Sequence, residues 1–167
     1  MFNVYPIRMK IINIFIALFF ISTVSATDLY SQQYDPKRDP FADGRAAIIL
    51  AKQTNRRILI EVGGDWCKWC HILDKFIKSD PQIEKTLHNT FVVLKVNVSD
   101  ENMNEEFLSA FPKALGYPHM YVTESDGSVI HSQDTAEFLV NLKYSKKKFI
   151  QFLNRWKLKP LKKVAIE

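Results

Sequence analysis

Glu61-Val62-Gly63-Gly64-Asp65-Trp66-Cys67-Lys68-Trp69-Cys70-His71 decides how the chain is read. It holds both cysteines of the 167-residue sequence, two residues apart. The run before it, Ile58-Leu59-Ile60-Glu61-Val62, is short, apolar and continuous, which predicts a strand buried on both faces. The run after it carries Ile72, Leu73 and Phe76 at helical spacing up to Ser79. Strand, turn and helix together place a thiol at a helix N-terminus with a second thiol one turn behind. Free N–H groups and the positive end of the helix dipole favour thiolate there. So close a pair shuts almost no loop, so its value as an entropic staple is small and chemistry is the stronger reading. An inert structural disulfide and a zinc half-site are the alternatives.

Moving outward, Asp43 to Thr54 has a helical pattern with Asp43 as candidate cap. Asp80-Pro81 starts another helix after the cysteines, Asp80 capping and Pro81 in the first turn. Phe91 to Val98 is the strongest strand pattern, and Asp100 to Phe111 is expected to be helical. Pro118 to Val122 reads as a strand, and Ser128 to His131 as its hairpin partner across Glu124-Ser125-Asp126-Gly127. Ser145 caps a final helix with Phe149, Phe152, Leu153 and Trp156 on one face. Helices separate the first strand from the second and the second from the third. That predicts parallel pairing followed by an antiparallel hairpin, in an α/β fold with a mixed sheet of four to five strands covered on both faces.

Composition sets the limits. Apolar residues make up 47% and charged residues 25%, ordinary for one globular domain. The formal charge of +5 falls to +3 without residues 1–26, too mild to point to nucleic acid; Arg8 and Lys10 carry the difference. Those two precede an apolar run, Ile11 to Ile21, and then Ser22 to Ala26. This is the order of a secretory signal peptide over 1–26; a membrane anchor is the alternative, but the run falls short of the ~18 residues of a spanning helix. The absence of a cysteine near the cleavage site argues against a lipoprotein anchor. The expected organisation is then an irregular lead-in over 27–42, one domain over 43–158 and a basic tail over 159–167. The end of the chain lacks Lys-Asp-Glu-Leu, so periplasm or the extracellular space is expected, without stable membrane insertion after cleavage.

Trp66-Cys67-Lys68-Trp69-Cys70 after a strand, with Gly116-Tyr117-Pro118 before a later one, resembles the thioredoxin superfamily over residues ~43–158. The resemblance implies the thioredoxin fold and thiol–disulfide exchange with protein substrates and a redox partner protein, without a cofactor. It implies Cys67 as nucleophile, with Lys68 adding positive charge, and Cys70 as the resolving thiol. Glu61 stands where the family carries a buried carboxylate, aspartate in thioredoxin itself, to move the Cys70 proton; a water-facing edge-strand glutamate is its alternative. Pro118 matches the family's cis-proline, with Tyr117 beside it shaping the substrate groove; an ordinary trans proline is the alternative. Trp66 and Trp69 are expected to offer apolar contacts to substrate. Lys68-Trp69 replaces the Gly-Pro of thioredoxin and, with His71, would tune the redox potential. His71 or His119 could join the cysteines around a soft metal ion, but neighbours on a helix point about 100° apart, so Cys70 and His71 chelate poorly together and no metal site is assigned. A module of the same fold that binds metal or client without turnover is the second functional reading. His88 and His131 are read as surface residues.

Overall fold

The computed structural model describes residues 30–158, so the expected signal peptide and basic tail lie outside the described residues. Its elements are α1 (Pro40–Thr54), β1 (Arg57–Gly63), α2 (Lys68–Lys78), α3 (Pro81–Thr90), β2 (Phe91–Asn97), α4 (Glu105–Leu108), β3 (His119–Thr123), β4 (Val129–Asp134), a 3₁₀ turn (Thr135–Phe138), β5 (Leu139–Val140), β6 (Lys143–Tyr144) and α5 (Lys146–Arg155). Four strands form one sheet in the order β2-β1-β3-β4, and β5 and β6 form a small separate hairpin. The fold is of the expected α/β class, a mixed sheet of four strands with helices on both faces.

Strand pairing differs from expectation at one place. β1 and β2 are parallel, but β3 lies against β1, antiparallel, with Glu61 opposite Met120. The connection through α4 therefore carries the chain past β1 and back, instead of adding a third parallel strand beside β2. This makes β1 an interior strand, and Glu61 cannot be an edge residue facing water.

Alternation along the strands builds two cores. Leu59, Val93, Met120 and Val122 meet Leu73 and Ile77 of α2, Ile83 and Leu87 of α3, and Phe149, Phe152 and Leu153 of α5. Ile58, Ile60, Val62, Val92, Leu94 and Val96 meet Ala47 and Ala51 of α1 on the other face. Glu61 shares the phase of Leu59, and Lys95 the phase of Val93. Both side chains therefore belong to the face covered by α2 and α3.

Local chemistry explains the helix ends, and corrects two of them. α1 is capped by Asp39, not Asp43: the Asp39 carboxylate accepts from Phe41 N at 2.8 Å, and Pro40 opens the helix. Asp43 lies in the first turn, where it pairs with Arg38. The helix expected over 100–111 shrinks to Glu105–Leu108. Asn104 takes left-handed backbone (φ 48°) and its side chain donates to the Asn97 carbonyl at 2.8 Å. Asn102 donates to the Pro36 carbonyl at 2.9 Å, so the asparagines hold this stretch as a loop against the chain before α1. Asp80 caps α3 through the N–H groups of Gln82 and Ile83, and Ser145 caps α5. His131, expected at the surface, is half-buried, its ring stacked on Trp156 at 4.8 Å.

Residues 30–39 form no helix or strand, yet Tyr30 and Tyr34 are buried. The Ser31 carbonyl accepts from Lys95 N at 2.9 Å, so the segment runs along the open edge of β2. That contact sets Tyr34 below the cysteines.

Candidate active site

Cys67 is the N-cap of α2, with extended backbone, and its sulfur accepts from Cys70 N at 3.2 Å. The turn that delivers it closes when Cys67 N donates to the Gly64 carbonyl at 2.9 Å. Cys67 and Cys70 are joined as a disulfide and both are buried. Their immediate packing partners are Tyr34 and Tyr117. The small residue at 63 is a steric requirement. A Cβ there would lie 2.5 Å from Cys70 Sγ and 2.9 Å from both Cζ and Oη of Tyr34. Gly64 has the same role beside Trp66: a Cβ would come within 2.5 Å of the indole nitrogen and 2.7 Å of the Val98 carbonyl.

Beneath the disulfide lies a polar network. Tyr34 Oη donates to Glu61 Oε1 at 2.5 Å. Lys95 Nζ stands 3.7 Å from the same oxygen, 2.5 Å from Asp74 Oδ1 and 4.8 Å from the centre of the Tyr34 ring. Glu61 is 2% exposed, Lys95 9%, and Asp74 is partly open to solvent. Burial raises the Glu61 carboxyl above the usual carboxylate range, against the pull of Lys95. Burial, reinforced by the charge of Glu61, pushes the Tyr34 phenol well above its ordinary value. A cavity of about 700 Å³ opens between residues 31–38, α2 and α3, and Tyr34, Glu61, Asp74 and Lys95 all line it. A smaller cavity of about 360 Å³, lined by Arg56, His88 and Thr90, touches none of these residues.

Around the disulfide, Trp66 is 61% exposed, its Nε1 donates to the Val98 carbonyl at 2.6 Å and its ring meets Tyr117 edge-on at 5.8 Å. Trp69 is partly exposed and meets Tyr144 of β6 edge-on at 6.0 Å. The Tyr117–Pro118 peptide is cis, and the Pro118 carbonyl accepts from Thr135 Oγ1 at 2.6 Å. Lys68 is exposed. His71 points back, its Nε2 donating to the Asp65 carbonyl at 2.7 Å. His119 is buried, its Nε2 2.8 Å from the Ser132 hydroxyl, and burial lowers its pKa, so the ring is neutral near pH 7. Among the described residues no group of three His, Cys, Asp or Glu side chains is placed to hold a metal ion.

The structure thus assembles Cys67, Cys70, Tyr117 and, through Tyr34, Glu61. Three members of the network lay outside the expected set. Lys95 had a visible signal, a lysine inside the apolar run 91–98, and it stands directly beside Glu61 in the β1–β2 register. Asp74 follows Cys70 by one helical turn, but that spacing is common on any helix. Tyr34 had no local signal, because only the path of residues 30–39 along β2 brings it under the disulfide.

A family model described as Thioredox_DsbH, protein of unknown function, DUF255, matches residues 25–157. The thiol:disulfide interchange protein DsbD of Citrobacter koseri is 32% identical over 78 residues, 47% of this chain, and that of Escherichia coli K12 30% over 81 residues, 48% of this chain. The chain spans only 14% of the length of either relative. Among solved structures, a disulphide isomerase from Xylella fastidiosa Temecula1 superimposes with a TM-score of 0.63 at 26% identity, over 73% of this chain and 94% of that one. The C-terminal domain of Neisseria meningitidis DsbD, in its oxidised form, shares the fold with a TM-score of 0.53 at 19% identity, over 71% of this chain and 97% of that domain. With a match that runs through every described element but the last residue of the range, the chain belongs to the Thioredox_DsbH family and has the thioredoxin fold.

Proposed function

We propose that the chain is an exported thiol–disulfide oxidoreductase that exchanges disulfides with protein substrates through Cys67-Lys68-Trp69-Cys70. The observation that carries this reading is a disulfide at a helix N-cap above a buried carboxyl whose pKa burial raises. The relatives named as thiol:disulfide interchange proteins and the neighbour named as a disulphide isomerase support it.

Cys67, freed by reduction, is the nucleophile, because the unpaired N–H groups of the first turn of α2 stabilise its thiolate. Its attack on a substrate disulfide forms a mixed disulfide and expels one substrate thiolate. Cys70 then attacks Cys67 Sγ and releases the second substrate sulfur, leaving the Cys67–Cys70 disulfide. Run backwards, the same steps oxidise a dithiol. Glu61 holds the proton that Cys70 must lose, since burial suits it to carry a proton nearer neutrality. Trp66, Trp69 and Tyr117 supply apolar contacts for the substrate, and Pro118 shapes the groove beside Tyr117. Lys68 adds positive charge next to Cys67, and His71 braces the Asp65 turn that presents it. Electrons pass to or from a redox partner protein, with no cofactor.

Reduction of insulin by dithiothreitol tests the reading. Wild type accelerates it and Cys67→Ser does not; equal rates for the two proteins refute it. The order of residues 1–26 supports export, and mass spectrometry of the protein from its native host should find a mature form starting near Thr27.

A further inference from the structure

Tyr34 is a buried titratable residue that belongs neither to the Cys-x-x-Cys stretch nor to the substrate groove. Its hydroxyl donates to Glu61 Oε1 at 2.5 Å. Tyr34 Oη and Cys70 Sγ both lie within 3 Å of one point, the position of a Cβ on Gly63, at 2.9 and 2.5 Å respectively. Tyr34 also packs against both cysteines. The phenol oxygen is therefore bonded to the buried carboxyl and stands close to the resolving sulfur.

We infer that Tyr34 is the relay through which the Cys70 proton reaches Glu61. The inference rests on the exchange reaction proposed above and deepens it. When Cys70 attacks the mixed disulfide, its S–H proton passes to Tyr34 Oη as the Tyr34 O–H proton passes to Glu61 Oε1. The Cys70 thiolate forms its bond to Cys67 Sγ, the Cys67–substrate bond breaks, and the substrate sulfur leaves with the electron pair and takes a proton from water. Thiol and carboxylate become thiolate and carboxylic acid, and the tyrosine ends as it began. The two transfers are concerted, because a phenol held well above its ordinary pKa does not persist as tyrosinate in this site. Glu61 then returns its proton to solvent through the cavity it shares with Asp74 and Lys95. This exit lies on the α2–α3 side of the sheet, so a protein substrate seated over Trp66 and Tyr117 does not block it.

The test is the reaction of the reduced full chain with glutathione disulfide, quenched in acid and followed by mass spectrometry. The Cys67–glutathione mixed disulfide should form at the same rate in wild type and Tyr34→Phe. Its resolution by Cys70 should be about tenfold slower or more in Y34F, with an altered pH profile. In mixtures of light and heavy water, the resolution rate of wild type should fall along a curve, as two moving protons require, and that of Y34F along a straight line. Resolution by Y34F at the wild-type rate and pH profile overturns the relay, even if its melting temperature falls. A straight line for wild type also overturns it and needs no variant. If wild type forms no mixed disulfide, the exchange reading fails and the relay fails with it, an outcome distinct from the other two.

Discussion

Replacing Lys95 by methionine keeps most of the side-chain volume and removes a cation that pairs with both Glu61 and Asp74. The loss should depend on pH, and the sign follows from burial. The folded-state pKa of Glu61 is raised. The folded protein therefore holds this proton more tightly than the unfolded chain, and the contribution of Glu61 to stability is complete below the unfolded pKa, about 4.5. It is lost as pH rises through the folded pKa. Lys95 limits that loss by attracting the carboxylate. At 3.7 Å and an effective dielectric of about 20 the attraction is roughly 4 kcal/mol, which favours the ionised carboxylate. K95M should thus cost only about 1 kcal/mol at pH 4, chiefly the pair with the part-exposed Asp74. Above the wild-type Glu61 pKa the cost should grow by about 1.4 kcal/mol per pH unit, towards the 3–5 kcal/mol, roughly, of a broken buried pair. Urea unfolding of the oxidised proteins between pH 4 and 8 measures it, and adding Glu61→Gln to K95M should abolish the pH-dependent part. A K95M cost that is the same at pH 4 and pH 8 refutes the reasoning, because it would mean that Lys95 does not act on Glu61.

Gly63→Ala should destabilise the oxidised protein by about 1–3 kcal/mol, because the new methyl meets Cys70 Sγ and the Tyr34 ring at once. The reduced protein should lose less, since an unbonded Cys70 can turn aside; thermal unfolding with and without dithiothreitol compares the two. Leu153→Ala, in the fully buried face of α5, should cost about 2–5 kcal/mol by denaturant titration while leaving insulin reduction under native conditions near wild type. A large loss of activity in folded L153A would tie α5 to the site in a way that its packing does not suggest.

The site was legible in proportion to how local it is. A helix N-cap, a glycine turn and a buried strand are short-range matters, and Glu61 to Cys70 spans only ten residues. The expected helix over 100–111 failed for a local reason that its apolar spacing concealed. Asn97, Asn102 and Asn104 use their side chains on backbone groups and outcompete the helix. The assumed Asp43 cap failed because Asp39-Pro40, four residues earlier, starts the helix with better chemistry.

The sequence by itself determined the strand, the turn and the Cys67-Lys68-Trp69-Cys70 helix start, because each depends on residues within a turn or two of one another. Only the tertiary structure decided that β3 enters beside β1, which makes Glu61 an interior residue, and that Lys95 stands next to it. It alone also decided that Tyr34, 27 residues before Glu61, stands beside both that carboxyl and Cys70. The physical reason is that burial and charge pairing come from packing between segments far apart in the chain, and periodicity in one segment does not reveal its neighbour.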